Sequence, residues 1–200
     1  MNVEQVAALR AMLAPTSWLQ ATTSFAASLR LSASKRSGLL LLGTADDEPW
    51  HLNAHLDDES RYAGLPELAP TLIRWAPQPG APAHLAVGID QLAARSRNRT
   101  LLVVSQQAAP AELLYRVQDA RRAGATIFAL DSGDADLDDL AHEALPVGRN
   151  APVSFDAAQH LVSMAAGDAE LARQRGRKAA GPAARLARIL DLISGTVPGD

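Results

Sequence analysis

The sequence predicts an α/β protein, a three-layer αβα sandwich around a mainly parallel sheet and preceded by N-terminal helices. Three observations predict it. Short apolar runs recur at residues 39–42, 101–104 and 125–130, and such runs without polar alternation suit strands buried on both faces. Stretches of Ala and Leu at helical spacing separate them, and Ala loses no side-chain entropy in a helix. The alternation of the two over about residues 40–147 calls for crossover connections, with helices covering both faces of the sheet.

Taken in order, residues 3–14 read as a helix that Pro15 stops, because its ring disfavours helical geometry in the residue before it. A second helix is expected over about 16–35, where Trp18, Leu19, Phe25 and Leu29 supply an apolar stripe. The strand at 39–42 ends at Gly43. A helix should then begin near Asp47, hold Pro49 in its first turn and end around Tyr62, before Gly64. Residues 70–75 read as a strand, 76–82 as a Pro-rich loop and 83–95 as a helix. After the strand at 101–104, a helix over 110–123 closes on Gly124. The strand at 125–130, an acidic loop at 131–136, a short helix at 137–143 and an edge strand at 144–147 follow. A helix over 155–172 completes one domain, residues 1–172. Residues 173–182 form a basic linker, and 183–200 a short helix and tail.

Composition narrows the function. Two hundred residues, 48% of them apolar, suit one domain with a substantial core. Aromatics make up 4%, so that core rests on Leu, Val, Ile and Ala. A formal charge of −3 gives no long-range pull toward nucleic acid or an anionic membrane. There is no cysteine, hence no disulfide framework, thiolate nucleophile or Cys-ligated zinc. The N-terminus lacks a basic region followed by an apolar run, so no signal peptide is expected, and no apolar run is long enough to span a bilayer. A cytoplasmic protein is the expectation.

Open parallel sheets bind ligands beyond the carboxyl ends of their strands. Gly43 and Thr44 follow the first apolar run, and Ser105, Gln106 and Gln107 follow that at 101–104, so these five are the candidate ligand contacts. Glu112, in the first turn of the next helix, is a candidate general base. Asp47, His51 and His55 recur every four residues and would share one helix face. They read first as a polar face with an acid at the helix start. Two imidazoles and a carboxylate are also a reasonable set for zinc or another divalent ion. Otherwise no cofactor is expected, and no P-loop, dinucleotide fingerprint or nucleophile elbow is present.

The order from Thr100 to Val147 resembles the second half of sugar isomerase (SIS) domains. Leu101-Leu102-Val103-Val104-Ser105, then Glu112, Ala123-Gly124-Ala125, Ile127-Phe128-Ala129-Leu130 and Leu140-Ala141 before Leu145-Pro146-Val147 reproduce that family's strand, loop, helix, turn, strand, helix and final strand. The resemblance covers about 40–170 and implies a sugar-derivative ligand, isomerase chemistry and a homo-oligomer. In phosphoheptose isomerases a helix bearing Gln and His lies where Gln159-His160 stand here, which implies a catalytic His160. The family's two phosphate-binding loops are rich in Gly, Ser and Thr. Here they read Gly43-Thr44-Ala45-Asp46-Asp47-Glu48 and Ser105-Gln106-Gln107-Ala108-Ala109-Pro110. Carboxylates in the first repel a phosphate, and Pro110 in the second supplies no N–H. An altered isomerase or sugar-binding protein is expected, with an inactive regulatory or scaffold dimer as one alternative. A metal-dependent enzyme using the Asp47/His51/His55 face is the other.

Overall fold

Successive residues of a strand point to opposite faces, and in the four-leucine run this sorts the whole core. The structure, a computed structural model, describes residues 17–168. Its strands are β1 (Leu39–Leu42), β2 (Pro70–Ile73), β3 (Thr100–Ser105), β4 (Thr126–Asp131) and β5 (Glu143–Pro146). Its α-helices are α1 (Ser17–Lys35), α2 (Trp50–Ala63), α3 (Leu92–Ser96), α4 (Ala111–Arg122), α5 (Ala135–Leu140) and α6 (Phe155–Gly167). Leu39 and Leu41 join Leu102, Val104, Phe128 and Leu130 under α1, α2 and α6. Leu40 and Leu42 join Ile73, Leu101, Val103 and Ile127 under α3, α4 and α5. The result is the expected three-layer sandwich. Within the first layer α6 packs against both α1 and α2.

The sheet is parallel throughout, in the order β2-β1-β3-β4-β5. Leu39 stands opposite Thr100 and Leu42 opposite Val103, while on its other edge Leu42 meets Ile73. The chain therefore leaves β1 to one side for β2 and returns on the other side for β3. Such a reversal opens a crevice between the loops that follow the two neighbouring strands.

Several boundaries differ from expectation for local reasons. The helix expected from Asp47 starts at Trp50 with Pro49 as its N-cap, so Asp47 lies in the preceding loop and off the helix face. The helix expected over 83–95 is broken. Two 3₁₀ turns, Ala83–Leu85 and Ile89–Gln91, precede the single-turn α3. Gly88 between them extends to pair with Arg74, which interrupts any continuous helix. At 70–75 the strand stops at Ile73, and Arg74 makes only that isolated bridge. The acidic helix begins two residues early because the Asp134 carboxylate caps it through the Asp136 and Leu137 N–H groups. Gly124, with φ of 101°, follows α4 as expected. The helix expected over 3–14, the last residues of 155–172 and everything from 173 onward lie outside the described residues.

The C-terminal end of β4 carries a charged feature inside the core. Asp131 is fully buried, and its Oδ1 accepts the N–H groups of Gly133 and Asp134. Its Oδ2 and the Oδ1 of Asp138 are buried without a donor. A proton held between the two carboxyls satisfies both. Burial first, and then the charge of Asp131, push the Asp138 carboxyl up from 3.8 to about 6. Its native-state pKa lies above its unfolded value, so this group adds stability as pH falls from about 6 toward 3.8 and opposes folding above that window. Asp138→Asn is therefore expected to stabilise the protein by about 1 kcal/mol at pH 8, after discounting for solvent screening, and by less at pH 5. Urea titrations at the two pH values measure this. An equal gain at both, or a loss at pH 8, refutes it.

Candidate functional site

The loop leaving β1 is held by a lock that the sequence patterns did not reveal. Gly43 is buried, and its carbonyl accepts the Trp75 indole N–H at 2.9 Å. Glu48 reaches back to accept the Trp75 backbone N–H at 2.8 Å and the Nε–H of Arg74. The side chains of this ion pair are 15% and 11% exposed, so the charges are well shielded. The Arg74 guanidinium also lies over the Trp50 ring, 4.4 Å from its centroid. Thr44 turns the loop by accepting the Asp47 N–H at 3.0 Å, which leaves its own hydroxyl proton available. The Glu48 carboxylate, at the α2 end of this loop, is thus committed to structure.

The loop after β3 is also largely self-satisfied. Ser105 is buried, and its Oγ donates to the Gln107 carbonyl at 2.8 Å. The expected serine hydroxyl is therefore spent within its own loop. The Ala109 N–H donates to the Asp134 carboxylate at 2.6 Å, tying this loop to the one after β4. Gln106 and Gln107 are exposed and carry amides that are free to turn outward. Glu112 has 65% of its side chain exposed and pairs with Arg116 at 3.8 Å, one turn along α4. That placement is an ordinary solvated pair on a helix surface.

The structure joins two residues that sequence spacing grouped with a third that it did not. His51 and His55 occupy successive turns of α2, and their Nε2 atoms lie 2.9 Å apart. His160, on α6, brings its Nε2 to 3.0 Å from that of His51. The three ring centroids lie 4.2–4.8 Å apart. Leu52 and Leu56, fully buried beside the histidines, seat α2 on the sheet, and Leu161 and Val162 do the same for α6. Further along, Gly167 of α6 lies so close to Glu59 of α2 that a Cβ there would come within 2.2 Å of its carboxylate. Burial is the leading cause that lowers both the His55 and the His160 pKa, with the neighbouring imidazoles next. Asp58 and Asp156 partly offset this for His55 and His160 respectively. The α2 pair was legible from its four-residue spacing. His160, 109 residues further on, has no local pattern that links it to them.

No family model matches the sequence, and no curated protein matches it. Solved structures do. A candidate phosphosugar isomerase from Silicibacter pomeroyi DSS-3 superimposes with a TM-score of 0.54 at 17% identity, over 95% of this chain and 53% of its own. A candidate sugar-binding protein from Salmonella typhimurium LT2 gives 0.50 at 14% identity, over 88% and 55%. The sugar isomerase domain of an RpiR transcription factor from Sphaerobacter thermophilus gives 0.48 at 16% identity, over 84% and 86%.

The fold is SIS-like.

This chain spans about half the length of the first and second of those proteins. Thr44, Gln106 and Gln107 are accessible polar groups of the loops after β1 and β3. Gly43 and Ser105 are buried within those loops. Among the described residues no helix is long and apolar enough to cross a membrane.

Proposed function

We propose that this SIS-like domain binds a sugar derivative that carries no phosphate, in the crevice at the carboxyl ends of β1 and β3. The supporting observation is the Asp134 carboxylate on the Ala109 N–H. An internal anion already occupies a loop amide that a phosphate would use, and it adds negative charge where a dianion would have to sit. Asp46 and Asp47, both exposed on the facing loop, add to that repulsion. A neutral polyol meets no such penalty and can exchange hydrogen bonds with the Thr44 hydroxyl and the Gln106 and Gln107 amides, which both donate and accept. Binding is favoured over isomerisation because Glu112 is solvated and paired with Arg116, and His160 is engaged with two other imidazoles.

A thermal-shift panel of free sugars, amino sugars, N-acetylated sugars and their phosphates tests this reading. At least one unphosphorylated compound should stabilise the native state, by about 2.7 kcal/mol at a hundredfold excess over Kd. The corresponding phosphate should give little or no stabilisation. The double substitution Gln106→Ala, Gln107→Ala should abolish the response without lowering the ligand-free melting temperature. Preference for the phosphate would overturn the reading. Silence across the whole panel would favour the alternative, an inactive scaffold or regulatory dimer.

A further inference from the structure

The three histidines supply no ligand contact in the crevice reading, and their geometry is unsatisfied without an additional partner. A ring nitrogen in the imidazole plane carries either one proton or one lone pair. The Nε2 of His51 can therefore make one good hydrogen bond, yet it faces Nε2 of His55 at 2.9 Å and Nε2 of His160 at 3.0 Å. No choice of tautomer satisfies both contacts, and protonating His51 supplies only one N–H at that atom. A single cation among the three nitrogens satisfies all of them at once.

Dimensions and chemistry agree with this. The three ligating atoms lie within 4.8 Å of one another. Zinc–imidazole bonds of about 2.0–2.1 Å in tetrahedral geometry place nitrogens roughly 3.3 Å apart, so small ring rotations fit the set to an ion. Two of the ligands stand one turn apart on α2 and the third comes from α6, which is fixed against it. The helices thus pre-position the site, and little ordering is needed on binding. Imidazole sets favour zinc, copper, nickel and cobalt over calcium or magnesium. Among the described residues the group contains three ligands, and His51 is exposed. A fourth coordination position therefore opens to solvent, as in zinc sites that keep a water or substrate rather than closing on a fourth side chain.

We propose that His51, His55 and His160 bind one transition-metal ion, zinc foremost, through their Nε2 atoms, cross-linking α2 to α6 and leaving one position open to water or a small ligand. The proposal does not rest on the sugar-binding reading, because its ligands are the three imidazoles and not Thr44, Gln106 or Gln107.

Full-length protein stripped with a chelator and titrated with Zn²⁺ against a chromophoric competitor provides the test. One equivalent should bind, and the melting temperature should rise with metal. His51→Ala, at an exposed position that the fold tolerates, should weaken binding by about 100-fold or more, since the loss of mere supporting contacts around metal ligands already costs 10–100-fold. His160→Gln should do the same, which shows that α6 contributes. His84→Ala and Asp47→Ala should leave affinity unchanged. The Co²⁺-loaded protein should show the strong visible bands of a tetrahedral centre, and they should shift when azide is added. Absence of stoichiometric binding, or binding unaffected in both His51→Ala and His160→Gln, would overturn the site. Cobalt bands indifferent to azide would overturn its open position.

Discussion

Gly43→Ala is expected to lower stability by about 3 kcal/mol and the melting temperature by about 10 °C, because the new methyl group has nowhere to go. Built on the existing backbone, it lies 2.3 Å from the Asp47 carbonyl oxygen and 2.5 Å from Cδ of Pro49. Neither obstacle is the flexible end of a side chain. One is backbone and the other a ring, so the loop itself must open. Opening it also pulls the Gly43 carbonyl from the Trp75 indole and displaces Thr44, a proposed ligand contact. Stability and sugar response should therefore fall together in this variant. Thermal melts with and without ligand measure both, and an unchanged melt would show that the loop is not packed this tightly in solution.

Glu48→Ala should cost about 3–5 kcal/mol, the range for removing one partner of a shielded ion pair. The substitution strands the Arg74 guanidinium, whose side chain is 15% exposed, and leaves the Trp75 backbone N–H without its acceptor. The position of Arg74 over Trp50 offsets little of this, since a face of aromatic carbon replaces a full counter-charge. Glu48→Gln separates the two losses. Its amide oxygen can still accept the Trp75 N–H while the charge is gone, so it should recover about half of the loss. Chemical denaturation of the three proteins gives the order directly, and a Gln variant no better than Ala would assign the whole effect to the charge.

The parts of this fold legible in the sequence are those fixed by local periodicity. Four consecutive leucines ended by a glycine suit a strand buried on both faces, and β1 is one. The Leu-Val run at 101–104 carried the same signal, and β1 and β3 do lie parallel and adjacent. The region at 83–95 reads as a helix because its apolar residues suit one, yet it folds as two 3₁₀ turns and a single α-turn. What interrupts that helix is the pairing of Gly88 with Arg74, a contact between distant segments. Asp47 was placed on a helix face by spacing alone, but Pro49 caps the helix later and leaves Asp47 in the loop. The lock from Glu48 to Arg74 and Trp75, and the approach of His160 to His51, lie beyond any local pattern. Both depend on which helix is laid beside which strand, and only tertiary packing decides that. The serine after β3 was correctly placed at a strand end, but its hydroxyl turned inward to Gln107, a choice set by loop geometry.

Asp134 divides its two oxygens between two tasks. One holds the first turn of α5, and the other holds the Ala109 N–H in the neighbouring loop. A rigid coupling follows. Anything that drags the β3 loop outward also loosens the start of α5, and fraying of α5 frees the β3 loop. A single carboxylate is therefore the shared anchor of the β3 loop and of the helix that leads to the β5 edge of the sheet.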